Sequence, residues 1–175
     1  MAVIIEIQHS KVQELLQLAK KRHDAKPKNF RNSGILIKRS EDPIENYLPH
    51  VIGIIGEYAW GKHTGQPIDE VIYKVRDFED FNGEEVKTTT YFGSGEPELK
   101  IKIGEFKDKA PKRYILARTD KTKALHALNS GAESIFVELL GQITREDFEE
   151  KKKVKKYGAN NPFNYIVTLS LMEPL

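Results

Sequence analysis

Two segments of the chain carry apolar residues at helical spacing. The first predicts a helix over residues 10–22, and the second predicts a helix from about Pro43 to Lys62, with Asp42 as N-cap and proline at the first helical position. The apolar stripes are Val12, Leu15, Leu16 and Leu18 in the first helix, and Leu48, Ile52, Ile55 and Ala59 in the second. Val51, Ile54 and Tyr58 widen the second stripe, so we expect this helix to be deeply buried.

Most of the remaining chain alternates apolar and polar residues or is rich in β-branched residues, as is typical of strands. The predicted strands are 3–7, 34–38, 71–75, 85–91, 99–103, 114–117, 134–140 and 165–171. A charged helix is predicted from Thr144 to about Lys156. Since no repeat or linker interrupts residues 1–175, we expect one domain of the α/β or α+β class, with a central mixed sheet flanked by helices.

Composition sets further bounds on this domain. The 175 residues are 39% apolar and 31% charged, which is typical of a globular chain with its own core. With no cysteine, the chain has no disulfides, thiolate zinc sites or Cys nucleophiles. Its start resembles no signal peptide and no apolar run approaches a membrane span, so we expect a cytoplasmic protein without membrane contact. Net charge is only +2, and the clusters 20–31 and 151–156 are either solvated faces or phosphate contacts.

The segment 77–90 combines a turn signal with chemistry. Asn82-Gly83 is a hairpin signal, and the returning strand carries Glu85-Val86-Lys87. Because Val86 is apolar, Glu85 and Lys87 should share the opposite face of the strand. The pattern Glu-x-Lys begins five times in this chain, at Glu85, Glu98, Glu105, Glu149 and Glu150. Only the first copy follows an aspartate on a preceding hairpin strand.

Two aspartates compete for the position opposite this strand. A two-residue Asn-Gly loop pairs Asp80 with Glu85 on one face, whereas a three-residue loop pairs Asp77 with Lys87. We favour Asp77, because it lies deeper in the strand than the turn, and Asp80 is the alternative.

Carboxylates and a lysine in this arrangement suit phosphodiester hydrolysis. Mg2+, or Mn2+ in its place, takes oxygen ligands, and the aspartate, Glu85 and the backbone carbonyl of Val86 can supply them. Lys87 beside the metal can orient a water, lower its pKa and offset charge in the transition state. On the preceding helix, Glu57 has glycines before and after it at 53, 56 and 61, which suggests close approach of another backbone or a ligand.

The order of these motifs resembles the PD-(D/E)xK, restriction-endonuclease-like superfamily. The similar segments are Ile55-Gly56-Glu57-Tyr58-Ala59, Gly65, Asp77-Phe78, Glu85-Val86-Lys87-Thr88-Thr89, Tyr114–Ala117 and Phe136–Thr144. Together they cover roughly residues 50–150. The resemblance implies a restriction-endonuclease-like α/β fold with its core near 43–156. It makes Glu57 a helical acid that supports or binds the metal, Asp77 the bridging acid, Glu85 the second strand ligand and Lys87 the catalytic lysine. One departure is that Arg76, not proline, precedes Asp77.

The hypothesis from sequence is therefore a Mg2+-dependent DNA endonuclease whose substrate is duplex, branched or single-stranded DNA. Cutting of a duplex would favour a homodimer, because each active site faces one strand. Two alternatives stay open. One is a non-catalytic nucleic-acid-binding or assembly protein in which the acidic hairpin is a solvated turn. The other is a small-molecule enzyme or ligand domain of the α/β class. The five histidines have no zinc-ligand spacing.

Overall fold

The structure, a computed structural model, describes residues 2–24, 43–68, 80–130, 133–159 and 161–175. Its strands are β1 Val3–Ile7, β2 Glu84–Thr89, β3 Glu98–Lys102, β4 Arg113–Thr119, β5 Ile135–Thr144, β6 Lys153–Lys156 and β7 Phe163–Thr168. Its helices are α1 His9–Asp24, α2 Pro43–Thr64, α3 Ile103–Asp108, α4 Lys121–Ser130 and α5 Arg145–Lys151, followed by a 3-10 turn at Leu169–Leu171. No helix of these described ranges is both long and apolar enough to cross a membrane.

The strands form two sheets in place of the single sheet that was predicted. The larger has the order β1-β5-β4-β2, in which β2 and β4 are parallel and the other pairs are antiparallel. The smaller is antiparallel, with the order β3-β7-β6. The chain is thus a mixed α/β protein with a mixed sheet flanked by helices, as the sequence predicted.

Strand β4 is buried on both faces and separates two hydrophobic cores. Ile115 and Ala117 pack into the core formed with α1, α2 and α4, whereas Tyr114 and Leu116 pack into the core formed with the smaller sheet and α5. Such alternation is expected where both faces of a strand are covered, because successive side chains point in opposite directions. The larger sheet is therefore the middle layer, and β2 lies at one of its edges.

Local signals explain most element boundaries. Both long helices form where they were predicted, and α2 is followed by Gly65 in a left-handed conformation at φ 73. The predicted helix 144–156 was wrong in length, because the chain turns extended at Lys152 and its last residues pair with β7 as strand β6. Helices α3 and α4 were not predicted, although Asp120 caps the backbone amides of the first turn of α4. The predicted strands 34–38 and 71–75 lie outside the described residues.

Helix α2 approaches β2 closely at a glycine. A Cβ added to Gly56 would lie 1.9 Å from the Thr88 hydroxyl oxygen, and one added to Gly61 would lie 2.6 Å from the backbone carbonyl of Gln66. A Cβ on Gly53 would meet nothing within 4 Å. The predicted close approach of another backbone is found only at Gly61. Gly56 instead meets the Thr88 side chain, and this contact sets α2 close to the strand that carries Glu85-Val86-Lys87.

Candidate active site

The hairpin within the segment 77–90 has a two-residue loop. The backbone amides and carbonyls of Phe81 and Glu84 exchange hydrogen bonds of 3.0 Å in both directions, and Gly83 has φ 82. Asn82 and Gly83 are therefore the loop, as the turn signal predicted. This is the loop length for which the sequence places Asp80 opposite Glu85. Asp77 lies outside the described residues, so its role stays a prediction.

Asp80 accepts a hydrogen bond from the backbone of β2, and the negative charges of two other carboxylates act on it. Its Oδ2 accepts a hydrogen bond of 2.8 Å from the backbone amide of Val86. Burial raises the pKa of Asp80 well above its ordinary value, and the negative charges of Glu57 and Glu85 raise it further, against a lowering by Lys87. These four residues, predicted for one site, thus share one electrostatic environment.

Glu85 and Lys87 occupy the face of β2 that points away from α2. Val86 packs into the core under α2, so its neighbours on the strand share the opposite face, as predicted. Glu85 is 2% exposed, and its carboxylate accepts bonds from Lys87 at 2.7 Å and from Lys109 at 2.9 and 3.0 Å. Lys87 also donates to Glu105 at 2.5 Å. The buried carboxylate is therefore compensated by two ammonium groups.

The charge state of Lys87 follows from these contacts. Burial disfavours the ammonium ion, but the negative charges of Glu85, Glu105 and Asp80 outweigh it and raise the pKa of Lys87 above its ordinary value. Burial likewise opposes ionisation of Glu105, yet Lys87 lowers the pKa of this carboxyl. Lys87 is therefore a permanent cation and hydrogen-bond donor near neutral pH, and not a proton acceptor.

Glu57 lies on α2, which packs on the opposite face of β2 from Glu85 and Lys87, and it is paired with a basic residue of α1. It is 8% exposed, and both of its carboxylate oxygens accept hydrogen bonds from Arg22 Nη1, at 3.1 and 2.8 Å. Arg22 belongs to the basic cluster 20–31 that the sequence left open between a solvated face and phosphate contacts. At least this arginine instead balances the charge of a buried acid.

Three residues that the sequence analysis missed complete the cluster: Glu105, Lys109 and Arg145. Glu105 was set aside as a chance copy of Glu-x-Lys, but its spacing of four residues from Lys109 was a signal of a short helix. Arg145 donates to the carbonyls of Lys109 at 2.8 Å and Phe106 at 2.9 Å and to the Tyr114 hydroxyl at 3.0 Å, and it lies 4.1 Å from the Phe106 ring centroid. Arg145 thereby fixes the C-terminal end of α3, where Lys109 contacts Glu85.

The donor set suits a hard cation in its chemistry, because Asp80, Glu85 and the Val86 carbonyl offer oxygen atoms. The raised pKa of Asp80 comes first from burial and then from the negative charges of Glu57 and Glu85. Within the described ranges, however, no group of three or more His, Cys, Asp or Glu is arranged to hold a metal ion. Glu57 and Glu85 are instead paired with arginine and lysine side chains, whereas Asp80 accepts from the Val86 amide.

Comparisons of the chain with models of protein families, with curated proteins and with solved structures found no match. The chemistry of the acidic cluster is therefore the basis for assigning it a role.

Proposed function

We propose that this protein is a Mg2+-dependent DNA endonuclease with a restriction-endonuclease-like core. The observation that carries the proposal is the placement of Asp80 at the Val86 amide, 2.8 Å away, next to the strand face on which Lys87 contacts Glu85 at 2.7 Å. A carboxyl group whose pKa is raised, next to other acids and a fixed cation, is typical of functional sites. The proposed site residues are Glu57, Asp80, Glu85 and Lys87, with Asp77 as the further acid from the sequence.

In this proposal Asp80, Glu85 and the Val86 carbonyl would hold Mg2+, or Mn2+ in its place. The ion, when bound, supplies charge neutralisation at the phosphate and a water of lowered pKa. Lys87 donates a hydrogen bond to the attacking water or to a phosphoryl oxygen, because its raised pKa keeps it protonated. Glu105 orients that ammonium through its 2.5 Å contact, and Glu57 supports the site from α2.

A specific observation favours a second candidate, a non-catalytic nucleic-acid-binding protein. Among the described residues, the two most buried acids are already paired: Glu57 with Arg22 at 2.8 Å, and Glu85 with Lys87 and Lys109. In that case the cluster stabilises the junction of α1, α2, β2 and α3. Removing one partner would then destabilise the fold, because it leaves a buried charge uncompensated.

Nicking of supercoiled plasmid DNA in Mg2+ or Mn2+, with EDTA as reference, tests the proposal. We expect Lys87→Ala to lower the nicking rate by at least about a hundredfold, the lower end of the contribution of a positioned proton-transfer or oxyanion group. Lys107→Ala is the matched control, because this exposed lysine stands in the neighbouring Glu105-Phe106-Lys107 copy of the motif. Circular dichroism melts of both variants establish that they are folded.

Equal nicking by wild type and Lys87→Ala, or no metal-dependent nicking by wild type, would refute the nuclease proposal. DNA binding that persists without nicking would support the second candidate. The homodimer proposed for duplex cutting is tested separately, by sedimentation equilibrium with and without a duplex oligonucleotide. A monomer that nicks but does not cut both strands would restrict the activity to one strand at a time.

A further inference from the structure

The smaller sheet presents lysines on the face that points away from the hydrophobic core. Its core-facing residues include Leu99, Ile101 and Val167, so the residues between them point outward. In the register of β3, β7 and β6, four exposed lysines stand in two cross-strand rows: Lys100 and Lys153 on either side of Ile166, and Lys102 and Lys155 on either side of Asn164. These four residues are called the lysine face below.

Contacts on the lysine face hold part of this charge in place. The ammonium groups of Lys100 and Lys155 lie 4.1 and 4.9 Å from the ring centroid of Tyr157, which folds over the sheet. Lys155 also pairs with Glu98 at 2.6 Å, so this carboxylate offsets one of the four charges. Burial raises the pKa of Glu98, but Lys155 and Tyr157 outweigh it and lower that pKa. The remaining charge makes the face complementary to a polyanion.

The spacing of the rows indicates which polyanion fits. Successive rows are two residues apart along each strand, or about 6.7 Å, which is close to the covalent spacing of successive phosphates in an extended nucleic-acid strand. The two lysine columns are two strand spacings apart, about 9.6 Å. That separation matches neither the ~6 Å minor groove nor the ~12 Å major groove of B-DNA. The geometry therefore favours one phosphate chain over the paired chains of a duplex.

We propose that the lysine face binds the sugar–phosphate backbone of single-stranded DNA. The choice of DNA as the occupant rests on the proposed nuclease function, whereas the binding surface rests on the lysine rows. Strand β3 runs from Lys102 directly into α3, whose Glu105 contacts Lys87 at 2.5 Å. A strand bound along the lysine face thus lies on the element that leads into the acidic cluster.

Fluorescence anisotropy in EDTA tests binding without cleavage. The probe is a labelled single-stranded oligonucleotide of about 20 nucleotides, longer than the ~4–16 nucleotides that one sheet module usually covers. The test variant is Lys102→Gln/Lys153→Gln in the full chain. The control, Lys121→Gln/Lys123→Gln, removes the same charge from two exposed lysines of α4.

We expect the test variant to lose at least about tenfold in affinity at about 50 mM salt. The slope of log K against log salt should shrink by about 1.4, since each phosphate contact on a single strand contributes about 0.7. The control should change by less than about twofold. Equal losses in both variants would overturn the proposal, because net charge alone would then explain binding.

Three further outcomes would also overturn it: tighter binding to duplex DNA of equal length than to the single strand, tighter binding to anionic phospholipid vesicles, or aggregation of the test variant without loss of binding. The last would mean that the lysines protect the sheet edges β3 and β6 from pairing with another copy. Because binding is measured in EDTA, it is determined separately from nicking. Failure of nicking with intact lysine-face binding therefore refutes the nuclease proposal alone, and nicking without lysine-face binding refutes this one alone.

Discussion

Replacing Asp80 with asparagine should stabilise the protein while removing its proposed activity. Burial and the charges of Glu57 and Glu85 raise the pKa of this carboxyl, so the folded state holds an ionised Asp80 at a cost. Asparagine has nearly the same shape and keeps an oxygen that can accept from the Val86 amide, a bond of 2.8 Å in the wild type. It therefore removes the unfavourable charge with little change in packing.

The size of the gain follows from two opposing contributions. Each unit by which folding raises a carboxyl pKa costs about 1.4 kcal/mol of unfolding free energy once the group is ionised. Exchanging a charged acceptor for a neutral one at the Val86 amide returns about 1 kcal/mol of that gain. We expect a net stabilisation, and each 1 kcal/mol of it would raise Tm by roughly 2–4 °C for a domain of this size.

The sign of the pH dependence distinguishes this explanation from a packing effect. A group whose pKa is raised on folding contributes stability below its unfolded pKa, near 3.9 for Asp, and loses it as pH rises through the folded pKa. The wild type therefore loses stability over that range, whereas Asp80→Asn does not. The gain should be absent at the acid end and grow as pH increases.

Thermal melts of both proteins across the pH range measure this difference, with Asp108→Asn as a control at an exposed aspartate of α3. The control should stay within about 0.5 kcal/mol of wild type. A gain that does not vary with pH, or a loss of stability at neutral pH, would refute a half-buried Asp80 whose ionised form is disfavoured by its surroundings. Plasmid nicking by the variant, which we expect to be lost, tests the functional half of the prediction.

Two further perturbations follow from the contacts. Gly56→Ala should destabilise the fold by about 1–3 kcal/mol, because its Cβ would lie 1.9 Å from the Thr88 hydroxyl. Gly53→Ala has open space around it and should stabilise the fold by about 0.5–1 kcal/mol. Equal effects of the two substitutions in urea melts would contradict this. Arg145→Lys should destabilise the fold by about 2–4 kcal/mol, since one ammonium cannot replace the bonds of Arg145 to two carbonyls and a hydroxyl. It should also lower the nicking rate, because Lys109 would be misplaced. Wild-type stability and nicking by this variant would contradict that role.

Local sequence determined the elements near the candidate site. Helix α2 formed where its apolar stripe and flanking glycine indicated, since these are properties of neighbouring residues along one chain segment. The Asn82-Gly83 turn likewise follows from a glycine that adopts φ 82 without steric cost. Alternation around Val86 placed Glu85 and Lys87 on one face of β2, because the side-chain period of a strand is two.

Only the tertiary structure decided which charges meet. Arg22 and Glu57 are 35 residues apart, Lys109 and Glu85 are 24 apart, and Lys87 and Glu105 are 18 apart. No local period specifies such contacts, because they arise from the packing of α1 on α2 and of α3 beside β2. The same holds for the separation of β3, β6 and β7 into a second sheet. The sequence by itself thus determined that Glu85 and Lys87 share one strand face, and packing determined which distant charged residues pair with them and with Glu57.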